Sequence, residues 1–591
     1  MHQVKKQLGA IVHRGGVHFR VWAPFATSVD IVGTFTEIPI SMQSEDGGYW
    51  STIVKHAKPG HIYRYKITTP DGRELYRNDP RARQLTATEN GQSVIVANDF
   101  EWGDDIFLPI PREHQIIYEL HIGTFARPDV STAGTFESAI DRLDYLQDLG
   151  VNMIELMPVT NMAYSQGWGY NPRDLFSIEN AYGGRHGLMT FVRACHDRGI
   201  GVIVDVVYNH LFSDTLWQFD GWTTEDNKGG IYFYNDWRAD TPFGARPDYG
   251  RPEVRQFILD NVVMWFNEFR VDGLRIDSTI YMRNTKSYND DPEHDIGDAW
   301  NLLRDISTIG HRVRPGSIMI AEDCGANEYV TRPTTASGCG FDAQWDIVFP
   351  HAIRDALGLT YGKPASLGSL IEQLHQAYNG NAYEKIIFAD SHDSAANGST
   401  RLNEAADPNG GDNVSAQQRL LTASAVTLTA PGIPMLLQGQ EFLQEGEFND
   451  WQALDWDKAQ EHAGMVTAHR HLIRLRRNEY GNTLGLQGPH TAIFHQNDAD
   501  AVLGYHRWHS GGAGDDVLVL INFTDRSFDS YDIHLPRNGT WYIRFNSSWT
   551  GYSQQFDDFI VEPVTTDDQH MAIITLPAHG VLILSQDAFT T

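Results

Sequence analysis

The sequence predicts an α/β protein, a (β/α)8 TIM barrel flanked by an N-terminal β-sandwich and a C-terminal antiparallel β domain. Three observations carry this. Short β-branched and aromatic runs without helical periodicity open the chain. Amphipathic helices then alternate with strands apolar on both faces, and strand-and-turn character returns near the end.

Residues 1–105 contain "GVHFRVWAP", "VDIVGTF", "YWSTIVKH" and "HIYRYKITT", separated by Gly, Pro and Asp clusters, the spacing of a small antiparallel sandwich. The stretch "ANDFEWGDDIFLPIPREH", with its prolines and acids, reads as the join to the barrel over 113–485. In "ESAIDRLDYLQDLGVNMIELMP", Ile140, Leu143, Leu146 and Leu149 form a helical stripe, Gly150 caps it, and "VNMIELMP" is a strand buried on both faces. The unit recurs with Leu188, Phe191, Val192 and Cys195 ahead of "GVIVDVVYNH". Val254, Phe257, Ile258, Val262 and Trp265 precede "FRVDGLRID", and Leu303, Ile306 and Ile309 precede "SIMIAED". With "IIYELHI", "KIIFADSHD" and "IPMLLQGQE" seven strands can be named, and "CGFDAQWDIV" leaves room for an eighth. No G-x-G-x-x-G opens a helix after the first strand, which removes support for an open dinucleotide-binding sheet. An excursion is expected around 211–250. The C-terminal domain, 486–591, is read from "AVLGYHRW", "DVLVLINF", "WYIRFNSS" and "GVLILS".

The chain has 591 residues, more than one hydrophobic core usually fills, and carries 76 acidic against 46 basic residues, a net charge of −30. That charge opposes nucleic acid and anionic membranes, so a neutral substrate fits better and no nucleic-acid partner is expected. Cys195, Cys324 and Cys339 cannot all pair with one another, which points to a reduced, cytoplasmic setting. No secretory signal and no apolar run of the roughly 18 residues of a membrane span is read, and a monomer is expected.

The apolar strands turn polar at their C-terminal ends. "VIVDVVYNH" ends on Asn209 and His210 with Asp205 inside it, "LRID" on Arg275 and Asp277, "IMIAED" on Glu322, and "IFADSHD" on His392 and Asp393. In a parallel barrel these ends surround one mouth. Arg275 and Asp277, two apart on a strand, point the same way, and the guanidinium is expected to keep the carboxylate ionised. An ionised Asp277 beside a protonated Glu322 on the next strand suits a retaining glycosidase, one attacking the anomeric carbon and the other protonating the leaving oxygen. Asp393 would stabilise positive charge, and His210 and His392 would hydrogen-bond sugar hydroxyls. Taken singly, each is more often a loop-entry, capping or structural residue; the ordered set on successive strands favours chemistry.

At these residues the chain resembles the α-amylase family of glycoside hydrolases and transglycosylases, glycoside hydrolase family 13, through "DVVYNH", "GLRIDSTIY", "IAED" and "FADSHD". The resemblance implies Asp277 as nucleophile, Glu322 as general acid and base, and Asp393 as transition-state stabiliser. It also implies that Arg275, His210 and His392 surround the reacting sugar, that Asp205 is structural, and that Tyr170 in "GWGYNPRDLF" stacks on the sugar. The N-terminal "FRVWAPFATSVDIVG" is similar to a carbohydrate-binding-like domain. "TRPTTASGCGFDAQWD" and "GQEFLQEGEFNDWQALDW" resemble glucan branching enzymes, which cut α-1,4 bonds and form α-1,6 bonds. "DVVYNH" is written as in hydrolytic amylases, "LHIGTFARPDVSTAGTFESAIDRL" is similar to trehalohydrolases acting on maltooligosyltrehalose, and Ser278 departs from the alanine common in branching enzymes. The expected partner is an α-1,4-glucan or maltooligosaccharide.

A metal-dependent barrel hydrolase would need histidines at ligand spacing, and His210 and His392 stand alone. No cofactor is expected. Calcium near Asn209 is compatible with the sequence, which shows no complete oxygen cage. A non-catalytic glucan-binding protein of this type should have lost one of the three acids, and none is lost.

Overall fold

The computed structural model describes residues 6–587 except 88–90, 106–108, 130, 164–166, 213–215, 225–228, 288–289, 361, 363 and 408–409; parts of the expected join and of the expected excursion therefore lie outside the described residues. Eight parallel strands close into a barrel in chain order: β1 Ile117–Leu120, β2 Met153–Leu156, β3 Gly201–Val207, β4 Gly273–Asp277, β5 Ile318–Ala321, β6 Ala343–Trp345, β7 Lys385–Phe388 and β8 Ile433–Leu437. The stretch "CGFDAQWDIV" supplies β6.

Period-two alternation sets what enters the barrel. Ile117, Met153, Ile203, Ile318, Ala343, Ile386 and Ile433 form one buried apolar cluster within it. Gly273 lets β5 close on β4, because a Cβ there would lie 2.5 Å from the Ile318 side chain. One residue pair further along, the inward positions become Glu119, Glu155, Asp205 and Arg275, all buried, so the apolar floor gives way to a charged layer.

The helices Gly184–His196, Pro252–Glu268 and Gly297–Val313 bury the stripes read from the sequence, except that Ile309 of the third is only half-buried. The first stripe differs. It is split into helices Phe136–Ile140 and Leu143–Leu149, with Thr135 and Ser138 forming a capping box at the first and Arg142 preceding the second. Ile140 is thereby only half-buried while Leu143, Leu146 and Leu149 are fully buried. Gly150 ends the second at φ 102°, its N–H donating to the carbonyls of Leu146 and Gln147.

The N-terminal sandwich packs the sheet containing Gly9–His13, Gly16–Trp22 and Tyr49–Val54 on that containing Ser28–Gly33, Ile62–Thr68 and Glu74–Arg77. Arg83 pairs with Glu268 at 2.9 Å and Arg81 with Asp260 at 2.8 Å, tying the end of the sandwich to the barrel helix Pro252–Glu268, and Arg185 of the helix Gly184–His196 meets the same Glu268 at 2.8 Å. The C-terminal domain holds a six-stranded antiparallel sheet and a separate strand pair. Arg507 fixes it to the barrel by donating to the Thr429 carbonyl at 2.6 Å, and it also donates to the Gly488 carbonyl of its own domain at 2.6 Å. No helix among the described residues is long and apolar enough to cross a membrane.

Candidate active site

The charged layer and the C-terminal ends of β3, β4, β5 and β7 build one site. Arg275 lies opposite Asp205 in the β3–β4 register and is fully buried. Its Nη1 reaches Asp205 Oδ2 at 2.5 Å and Asp277 Oδ1 at 2.9 Å, and its Nη2 pairs with Glu322 Oε2 at 3.0 Å. One guanidinium is thus shared among three carboxyl groups.

That sharing alters the expectation for Asp277. Burial raises its pKa, Arg275 offsets part of the rise, and the negative charges of Asp205 and Asp393 add to it, leaving Asp277 at about 6. The guanidinium beside it does not hold it in the ordinary carboxylate range, because burial and the neighbouring carboxylates outweigh it. Burial likewise raises Glu322, against the pull of Arg275 and with further upward pressure from Asp277 and Asp393, to about 7.

Other contacts fix the two acids. Asn209 Nδ2 donates to Asp277 Oδ2 at 2.5 Å and to the Asp277 carbonyl at 3.2 Å. The Ser278 N–H donates to Glu322 Oε2 at 2.7 Å. With Oε2 held by Ser278 and Arg275, Glu322 Oε1 has the Cys324 thiol at 3.8 Å. Asp393 is half exposed at the mouth, its Oδ1 3.5 Å from His392 Nε2.

The two histidines part company. His210 Nδ1 lies 2.6 Å from Asn209 Oδ1 and its Nε2 lies 2.9 Å from the Tyr170 carbonyl, so both nitrogens expected to meet sugar hydroxyls are taken by protein. Burial lowers its pKa to about 4. His392 instead sits between acids. Glu119 Oε1 lies 2.5 Å from its Nδ1, and Glu119 and Asp393 outweigh burial to raise its pKa to about 9. Tyr170 stacks on this ring at 5.1 Å and 19°, and its hydroxyl donates to Asp205 Oδ2 at 2.6 Å.

Sequence reasoning missed Glu119 and Glu155. Each is a single acid in an otherwise apolar strand, "IIYELHI" and "VNMIELMP", two positions from an inward Ile117 or Met153, and that period-two placement was the available signal. Glu155 faces Arg275, Glu119 and Asp205; burial above all, against the pull of Arg275, holds its pKa well above the ordinary value.

The set can do the work of a retaining glycosidase site. Asp277 and Glu322 contact two nitrogens of one guanidinium, which holds the two acids at the same site.

Comparison with known proteins adds an independent line. The alpha amylase catalytic domain matches residues 120–247 and 217–473, carbohydrate-binding module 48 (isoamylase N-terminal domain) matches 7–82, and the alpha amylase C-terminal all-beta domain matches 493–587. A 1,4-alpha-glucan branching enzyme of Corynebacterium jeikeium is 30% identical over 97% of this chain and 82% of its own. A malto-oligosyltrehalose trehalohydrolase of Saccharolobus solfataricus is 32% identical over 73% of this chain and 74% of its own. Among solved structures, a pullulanase from Anoxybacillus sp. LM18-11 superposes with a TM-score of 0.77 at 21% identity, covering 99% of this chain and 88% of that one. At that identity the likeness speaks for the fold.

Proposed function

Because this chain belongs to the α-amylase family, we propose that it is a retaining α-glucan enzyme whose reaction is 1,4-α-glucan branching. The observation that carries the branching reading is the resemblance, over nearly the whole chain, to relatives named 1,4-alpha-glucan branching enzymes.

In this reading Asp277 attacks the anomeric carbon of an α-1,4-linked glucosyl unit while Glu322 gives its proton to the departing glycosidic oxygen. The bond from carbon to that oxygen breaks, a bond to Asp277 Oδ forms, and the shortened chain leaves with a free hydroxyl. Glu322, now ionised, takes the proton from the 6-hydroxyl of an acceptor glucan, whose oxygen displaces Asp277 and makes the α-1,6 bond. The high pKa of Glu322 supports its first role, and Arg275, touching both acids, supports concerted use of the pair. Asp393 and the cationic His392 flank the same sugar, and Tyr170 forms its apolar wall.

Release of trehalose from maltooligosyltrehalose is a second reading, favoured by the 32% identical trehalohydrolase. Incubation with amylose separates the two. New chains released by an α-1,6 debranching enzyme, without matching reducing ends, support branching. Reducing ends alone mean hydrolysis, and inertness toward amylose with trehalose released from maltooligosyltrehalose supports the second reading.

A further inference from the structure

Glu119 lies in β1, opposite Glu155 of β2 and Leu437 of β8. It is 1% exposed, and the Gln438 N–H donates to its carbonyl at 2.9 Å, which pins its backbone to the end of β8. Both of its carboxylate oxygens are spent on one residue. Oε1 lies 2.5 Å from His392 Nδ1, and Oε2 accepts the His392 backbone N–H at 3.0 Å. A buried acid beside a histidine is ordinarily structural; here the grip has two points, one on the ring and one on the backbone of a residue at the mouth.

That grip sets which ring atoms carry protons. A carboxylate only accepts, so Nδ1 carries a hydrogen. On the other side of the ring, Nε2 faces Asp393 Oδ1 at 3.5 Å, a second group that only accepts. A bare Nε2 would set lone pair against lone pair, so both nitrogens are donors and the ring is a cation. Further off, Asp205 and, when ionised, Glu155 favour the cation, while Arg275 and His121 oppose it. The remaining surroundings are neutral rings: Tyr170 stacks on the imidazole, Trp168 and Phe448 meet it edge-on, and Trp345 is tilted against it. The rings hold its plane, and Glu119 holds its direction within that plane.

We propose that Glu119 is a positioning residue for the reaction: gripping His392 at Nδ1 and at the backbone N–H, it fixes the imidazole as a double donor whose Nε2–H is presented to Asp393 and to a hydroxyl of the reacting sugar. The proposal rests on the α-glucan reading of the site. Glu119 itself meets no substrate, since it is buried and both oxygens are occupied, so it acts through His392 alone.

The test compares kcat/KM on amylose for the full-length wild type and Glu119→Gln between about pH 5 and about pH 9. The substitution is isosteric, and its amide suits the neutral ring: the oxygen accepts the His392 N–H while the nitrogen donates to a bare Nδ1. The variant is expected within about threefold of wild type near pH 5, where the ring is protonated in both, and about tenfold or more below it near pH 8. A deficit that does not change with pH, or no deficit, overturns the positioning role and leaves the α-glucan reading standing. Wild type inert toward both amylose and maltooligosyltrehalose overturns both. Nitrogen NMR of wild type carrying labelled histidine decides the case even where Glu119→Gln does not fold. The signals missing from His392→Asn are expected to report protons on both ring nitrogens at about pH 8, and a single proton there overturns the role.

Discussion

The backbone N–H of Ser278 donates to Glu322 Oε2 at 2.7 Å because Ser278 adopts the left-handed conformation, φ 47° and ψ 52°. The residue after Asp277 thereby turns back toward the acid on the neighbouring strand. The donated group is the peptide N–H, so the side chain at 278 matters through backbone conformation. Ser278→Ala is expected to keep activity within about threefold. Ser278→Gly is expected to gain about 1 kcal/mol of stability by removing the cost of a left-handed residue bearing a Cβ, and Ser278→Pro, which lacks the N–H, to lose most activity. Thermal melts and rates on amylose measure these.

Asp277→Asn and Glu322→Gln are each expected to lower turnover by about 10²-fold or more, since each removes the reactive form of its group. More than about a tenth of wild-type rate in both would defeat the assignment.

The same two substitutions carry a stability signature. Asp277 and Glu322 have folded-state pKa values raised to about 6 and about 7. The folded state binds their protons more tightly than the unfolded chain does, so their contribution is present at low pH and lost as pH rises through those values. Each neutral isostere should therefore melt above wild type at about pH 8, and the gap should shrink toward about pH 5. A gap independent of pH would contradict the raised proton affinity of the two acids.

Activity should follow a narrow bell. It rises with pH as Asp277 loses its proton near 6 and falls as Glu322 loses its own near 7, while His392 stays cationic to about 9. The profile of kcat/KM measures both limbs. A plateau extending well above neutrality would remove Glu322 as the acid.

Far from the mouth, His196 bridges Asp105 Oδ1 at 2.6 Å and Asp272 Oδ2 at 2.8 Å, joining the segment before the barrel to the start of β4. Burial lowers its pKa, but the two acids outweigh it and raise the group above 6.5. Its stabilisation is full below about 6.5 and is lost as pH climbs through the folded value. The Tm difference between wild type and His196→Gln should fall as pH rises; a constant difference would mean that the imidazole acts without its charge.

Cys324 is the exposed one of the three free cysteines and its Sγ lies 3.8 Å from Glu322 Oε1. Burial of the thiol group, with Glu322 and Asp323 beside it, holds its pKa well above the usual thiol value. Alkylation by N-ethylmaleimide should be slow at neutral pH, faster in alkali, and should inactivate by filling the mouth, whereas Cys324→Ser should resist. Rates of inactivation with and without maltoheptaose give the readout.

The sequence by itself determined the barrel and the gathering of polar residues at its mouth. Both are written between near neighbours in the chain: apolar stripes at helical spacing, doubly apolar strands, and polar residues at the strand ends that a parallel barrel gathers at one mouth. The end of "VDGLRIDS" also told that Arg275 and Asp277 share a face, because side chains alternate along a strand. Only the tertiary structure decided what those groups experience. Closure of the barrel made Arg275 common to Asp205, Asp277 and Glu322, occupied both nitrogens of His210, and brought Glu119 under His392. Periodicity follows from bonds and backbone geometry. Charge sharing, proton affinity and burial depend instead on which distant segments meet and how much water they exclude, and no stretch of chain carries that information alone.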